Sequence, residues 1–179
     1  MRAGWRGASR TRDERAAALV ELAIVLPLVI ALILGLFTGG MAYNRKITIV
    51  NAAREASRYG ATLPVSNFPG GMQDWLKAVA DAAEKNASGD MDTGTAGRSI
   101  CVAFVHPAEL IDANDRTTML VRTDAGDTFS SGTCFDDDRP DDNERRVQVE
   151  LGRQSELQTL IFTWNLNLTA TSLSHFEAG

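Results

Sequence analysis

The sequence predicts an α+β protein: an N-terminal transmembrane helix extended into a domain in which one amphipathic helix packs on a small, mainly antiparallel sheet. Three observations predict it. Residues 17–43 (AALVELAIVLPLVIALILGLFTGGMAY) carry one charge, Glu21. Residues 72–87 set apolar side chains at helical spacing. Beyond Ser88 the pattern changes to short apolar runs and two-residue alternation between turn-rich stretches, as strands require. The expected organisation is a basic cytoplasmic leader over 1–16, a transmembrane and extended helix over 17–59, and an extracytoplasmic α+β domain over 60–179.

The leader is rich in Arg, Gly and Ala without an apolar period, and reads as flexible. Its five arginines against Asp13 and Glu14 give it a charge of +3, while the remainder of the chain carries −8 within a total of −5. The positive-inside rule keeps such a leader in the cytoplasm, although Arg45, Lys46, Arg54 and Arg58 follow the span closely. An acidic distal part lacks the basic patch that nucleic acid requires.

At about 1.5 Å per residue, residues 17–43 make a helix of roughly 40 Å, longer than the ~30 Å hydrocarbon core. Helix is the only form in which a lone segment satisfies its own backbone in lipid. Pro27 is expected to kink or locally break it. The rival reading, a cleaved secretory signal peptide, has the basic start but wants an apolar core of 7–15 residues and a small-residue cleavage site. The run over 22–37 is longer than that, and no clear A-x-A follows. Glu21 is open to two readings, a carboxylate tolerated at the interface beside the positive helix terminus or a recognition charge for assembly.

Residues 44–59 (NRKITIVNAAREASRY) lack Gly and Pro and carry Ile47, Val50, Ala53 and Ala56 at three-residue steps. They continue the membrane helix by about four turns into water, with small residues that allow close packing. Gly60 is expected to end the helix at the C′ position. After a loop with Pro64, Pro69, Gly70 and Gly71, residues 72–87 form the amphipathic helix. Met72, Trp75, Leu76, Val79, Ala82 and Ala83 make its apolar stripe, with Trp75 as core anchor.

Strands are expected at 99–105 (SICVAFV), 117–123 (TTMLVRT), 146–151 and 162–170. In the third, Val147, Val149 and Leu151 point inward and Gln148 and Glu150 outward. In the fourth, Phe162, Trp164, Leu166, Leu168 and Ala170 share one face. Such faces are buried most simply by one helix laid on one sheet.

Cys101 and Cys134 are the only cysteines. In an oxidising compartment they can pair; the alternative is two buried thiols. Residues 136–144 (DDDRPDDNE) hold six carboxylates, of which Asp136, Asp138, Asp142 and Glu144 are candidate cation ligands. A calcium loop also needs a glycine at its turn, and here Arg139 and Pro140 interrupt instead, so a solvated acidic turn is the preferred reading and no metal is expected. The run 90–94 (DMDTG) is a lesser cation candidate. Nucleophile elbow, P-loop, dinucleotide fingerprint, C-x-x-C and H-E-x-x-H are all missing from the sequence. His106 and His175 stand alone, and neither an enzyme nor a cofactor is expected.

The combination of A-A-L-V-E-L-A-I-V-L-P (17–27) with N-A-A-R-E-A-S-R-Y (51–59) at this separation resembles the TadE-like family, pilin-like membrane proteins of the bacterial tight-adherence pilus apparatus. The resemblance covers residues 15–59, about a quarter of the chain. It implies a non-enzymatic, single-pass minor component of pilus or related secretion-system assembly, in the cytoplasmic membrane and in contact with lipid, other pilin-like subunits and pilus-assembly membrane proteins. It also implies incorporation into a surface pilus as one outcome. In the family's pattern a prepilin peptidase cuts so that a glutamate becomes the fifth mature residue. Carried over, Glu21 is that residue, Ala17 the first of the mature chain and Ala16 the last of the leader. Family members often carry glycine before the cut and phenylalanine after the glutamate, where Ala16 and Leu22 stand here. The alternative, from the residues alone, is a membrane-tethered extracytoplasmic binding module that uses the acidic loop for a cation or partner.

Overall fold

A computed structural model describes residues 10–106, 117–136, 145–158 and 163–176. In chain order they form α1 (Arg10–Thr62), a 3-10 turn (Val65–Asn67), α2 (Met72–Asn86) and five strands. These are β1 (Ser99–Val105), β2 (Thr118–Thr123), β3 (Gly126–Ser131), β4 (Arg146–Gln158) and β5 (Thr163–His175). The strands make one antiparallel sheet in the order β3-β2-β1-β4-β5. The fold is α+β, with an N-terminal helix long enough to cross a membrane.

The helix α1 has 53 residues, or about 80 Å at 1.5 Å rise. It begins at Arg10, so the end of the expected leader is helical. Arg, Ala and Glu are good helix formers, and adding them to an existing helix avoids a new nucleation. Pro27 lies inside α1 without ending it.

Gly60 does not end the helix either; α1 runs through it to Thr62. Pro64 supplies the stop, because it disfavours a helical residue before it and has no N–H of its own. Gly60 is instead a close-contact position. A Cβ there would stand 3.0 Å from Val79 Cγ2 and 3.1 Å from both Trp75 Cζ2 and Val147 Cγ1.

The distal half of α1 lies over β4 and β5, and α2 lies over β1 and β2. Two helices therefore cover the sheet: α2, as its apolar stripe predicts, and the distal half of α1, whose small residues allow the close packing. From α1 the core takes Ile49, Ala52, Ala53 and Ala56; from α2 it takes Trp75, Leu76, Val79, Ala80 and Ala83. Met72 and Ala82, expected in the α2 stripe, are only partly buried. From the sheet come Ile100, Val102, Phe104, Leu120, Val147, Val149 and Leu151. Trp75 is the hub. Its ring meets Phe104 edge-on at 5.3 Å, and its Nε1 donates to Leu63 O at 3.0 Å, satisfying a carbonyl just past the end of α1. At the start of α2, Asp74 accepts from the Gly70 N–H at 2.9 Å, a side chain reaching back over the first turn as in a capping box.

Three strand expectations need correction. β3 is not among the expected strands: its sequence GDTFSS offers one large apolar residue, Phe129, as suits an exposed edge strand. Gln148 does point away from the helices but is buried all the same. The segment 132–136 crosses that side of the sheet, where Gln148 Oε1 accepts from Cys134 N–H (3.1 Å) and Nε2 donates to Phe135 O (3.2 Å). Finally, Trp164 and Leu166 share the face of buried Leu168 and Ala170, yet they remain 68% and 42% exposed. Phe162 lies outside the described residues.

Candidate functional site

Among the described residues, the N-terminal half of α1 has no partner. Its apolar window passes for a membrane span by length and composition, and none of that window is buried. Leu22, Ile24, Leu28, Leu32, Leu36 and Phe37 each leave more than half of their surface uncovered. A contiguous apolar surface of this size is not left in water by a folded domain. Ala16, Ala17 and Glu21 are all exposed on the same helix, upstream of or at the start of that window. The Ala16–Ala17 bond lies within α1, so access to it requires the first turns to open.

Farther along, residues 51–59 divide sharply between two sides. Ala52, Ala53, Ala56 and Ser57 are buried, while Asn51, Arg54, Glu55, Arg58 and Tyr59 face outward. The alanines let α1 lie close on β4 and β5. Ser57 Oγ stands 2.9 Å from both Ser172 Oγ and Ser174 Oγ and 3.0 Å from the Arg54 carbonyl, to which it can donate. This serine cluster joins the helix to β5, and it is invisible in the sequence because a serine between alanines looks like another small residue. Among the described residues, the outward polar residues have no such task in the fold. They present two arginines and a glutamate on one exposed surface of α1.

The other candidate positions are at the far side of the sheet. Cys101 of β1 is bonded to Cys134, with Cα atoms 5.7 Å apart. The bond holds the segment 132–136 against the sheet beside Gln148. Of the four candidate cation ligands in the acidic loop, Asp136 is exposed; Asp138, Asp142 and Glu144 lie outside the described residues. Among the described residues no group of three or more His, Cys, Asp or Glu side chains could hold a metal. Asp90, from the second cation candidate, is committed to cations already present: its carboxylate pairs with Arg153 and lies 4.0 Å from Arg45 Nε. Those contacts tie the loop after α2 to β4 and to α1. His106 is buried with its ring 4.7 Å from Phe104, and His175 is exposed at the end of β5.

One polar cluster is not legible in the sequence, because its members are far apart in the chain. Arg122 of β2 donates to Asp127 of β3 and also to Asp81 (2.5 Å) and Glu84 (3.3 Å) of α2. Arg98, its side chain 3% exposed, pairs with Glu84 at 2.9 Å and Asp124 at 3.6 Å and donates Nε–H to Met91 O at 2.6 Å. The hydrogen bond from Arg122 holds the Asp127 carboxyl below its ordinary value, and the same bond raises the Arg122 guanidinium. Every charge here faces an opposite one, so the cluster fastens α2 to the sheet edge.

The described geometry thus brings together no nucleophile and base, and its uncommitted features are the bare apolar half of α1 and the outward face of residues 51–59. No curated protein and no solved structure matches the chain. Residues 16–58 match the family model described as TadE-like protein, and this match spans both the apolar window and the two-sided segment behind it. Over those residues the N-terminal helix of this chain is similar to that of the TadE-like family.

Proposed function

We propose that the protein is a non-enzymatic, single-pass minor component of a tight-adherence pilus or related secretion assembly. Its N-terminus is cytoplasmic and its α+β domain extracytoplasmic. The observation that carries this reading is the coincidence of the family match with the parts of α1 that the fold leaves unused. Within residues 16–58, the apolar window is bare and the polar residues Asn51, Arg54, Glu55 and Arg58 face outward. Lipid covers the first, and other pilin-like subunits or assembly proteins meet the second. The arginine-rich leader supports the orientation, and an oxidising compartment suits the bonded cysteines.

In this reading a prepilin peptidase removes the leader between Ala16 and Ala17, and Glu21 then meets the positively charged new N-terminus of a neighbouring subunit. In a low-dielectric setting, removing one member of such a pair leaves the other buried alone, at a cost of about 3–5 kcal/mol. The Glu21→Gln variant is therefore expected to reach the membrane in normal abundance and to lose co-purification with pilus-assembly components. Equal recovery of wild type and variant with those components would reduce Glu21 to an interfacial carboxylate and remove the assembly role assigned to it.

A further inference from the structure

The β4–β5 hairpin continues past the core, along α1, toward the apolar window. Two contacts fix its course. Near the end of β5, Ser172 and Ser174 meet Ser57 of α1. Toward its start, Leu166 borders a cleft of about 370 Å³ together with Gly39, Ala42, Tyr43 and Lys46. As β5 is followed backward, its neighbours on α1 thus move from residue 57 to the region of 39–46, where the apolar window ends. Trp164 lies two residues farther in the same direction. At about 3.3 Å per strand residue that is ~7 Å, or about four to five residues of helix, level with the last part of the window.

The side chains at this end of the hairpin suit that depth. Leu157 is paired with Trp164 and Ser155 with Leu166, on the face that is buried farther up the sheet. Here the cover thins: Ser155 is still buried and accepts from Arg45 of α1 at 3.1 Å, but Trp164 is 68% exposed, Leu166 is 42% exposed and Leu157 is half-buried. Tyr43 is also 69% exposed on α1, and Lys46 lies one turn behind it. Trp and Tyr collect at the membrane interface, and a lysine beside them reaches lipid phosphate while its stem stays in apolar surroundings.

We infer that the end of the β4–β5 hairpin is a second membrane contact, with Trp164, Leu157 and Leu166 seated in the interfacial layer of the leaflet on the domain's side. The domain then does not swing on a single helix. It is held upright by two attachments, α1 through the bilayer and the hairpin in its surface. The inference rests on α1 as a membrane anchor, and its test separates the two.

The full chain is placed, in a Trp5→Phe background, in vesicles of phosphatidylcholine and phosphatidylglycerol. The lipids carry bromine either near the head or near the end of the acyl chain. Trp75 is buried in the core, so the lipid-sensitive emission belongs to Trp164. The expected result is a loss of emission that is greater with the shallow label, absent after Trp164→Phe, and unchanged on dilution of protein in lipid. If the chain resists alkaline carbonate extraction but bromine quenches nothing above the Trp164→Phe background, the anchor stands and the hairpin contact is overturned. Shielding of Trp164 from aqueous iodide that appears only at high protein density, without bromine quenching, assigns the surface to a second copy and also overturns it. Extraction of the protein by carbonate overturns the anchor and the hairpin contact together.

Discussion

Arg122 of β2 holds Asp127 of β3 by two parallel hydrogen bonds, Nε to Oδ1 at 2.8 Å and Nη2 to Oδ2 at 3.0 Å. The pair closes the two-residue turn between the strands and, through Asp81 and Glu84, joins that turn to α2. Because Arg122 favours the charged carboxylate, the Asp127 pKa is lower in the folded protein than the ordinary 3.8. A depressed carboxyl contributes stability above its unfolded pKa and loses it as pH falls through the folded value. Asp127→Asn is therefore expected to lower the stability measured by urea unfolding at pH 7, by about 1 kcal/mol or less for so accessible a pair. The difference from wild type should shrink as the medium is taken below the ordinary Asp range. A difference that persists undiminished in acid would assign the effect to packing.

Glu150 gives the opposite sign. It stands on the sheet side away from the helices, between Cys101 and Thr171 on the neighbouring strands, and burial raises its pKa above the usual 4.5. With a raised carboxyl, the folded state is penalised once pH passes the unfolded pKa, and the penalty is complete above the folded one. Glu150→Gln is expected to raise the urea midpoint at pH 7 and to match wild type below the Glu range. A lowered midpoint at pH 7 would mean that the charge has a favourable partner.

The Cys101–Cys134 bond closes a separation of 33 residues. In the chain-entropy treatment such a loop contributes about 4 kcal/mol through the unfolded state. Replacing both cysteines by alanine should lower stability by up to that amount. It should also loosen the segment 132–136, exposing Gln148, which is measurable as faster exchange of the backbone amide at position 134 and of the Gln148 side chain. For wild-type protein taken from cells, denatured without reductant, no thiol is expected to react with a maleimide label. Two reacting thiols would deny both the bond and the oxidising compartment.

Periodicity in the sequence carries the fold as far as faces, and no farther. The apolar window, α2, β1 and β2 all stand within a residue or two of where spacing puts them, because each buries a stripe that spacing alone defines. Coverage is a different property. Gln148 is on the outward side as alternation requires, but a cross-link between two cysteines 33 residues apart brings a segment over it. Trp164 and Leu166 are on the inward side, but β5 outruns the core. β3 is an edge strand with one apolar anchor, so it has hardly any period to read. At the N-terminus, Ala16, Ala17 and Glu21 stand out by family resemblance; the fold adds that they are exposed on a continuous helix, without a further partner among the described residues.

Gly60 separates local propensity from packing, and its substitution has opposite outcomes under the two. In a helix interior, Gly→Ala ordinarily stabilises by about 0.5–1 kcal/mol, since alanine gives up less backbone freedom on folding. Gly60 sits inside α1, so propensity alone favours the variant. Contact opposes it. The new Cβ would come within 3.0–3.1 Å of Val79, Trp75 and Val147, which belong to α2 and β4. All three are fully buried, so none can swing into solvent to make room. Trp75 is fixed further by its Nε1 bond to Leu63 O and its edge-on contact with Phe104. Relief has to come from moving α1 away from the sheet, and overpacking of this kind costs about 1–3 kcal/mol. The clash outweighs the gain in propensity. Gly60→Ala is expected to destabilise the domain by about 1 kcal/mol in urea unfolding, and Gly60→Val by more, as its branched side chain adds to the crowding. Trp75 emission should shift in step with the loss. A Gly60→Ala domain more stable than wild type would mean that α1 can rise off the sheet freely, and that helix propensity governs this position.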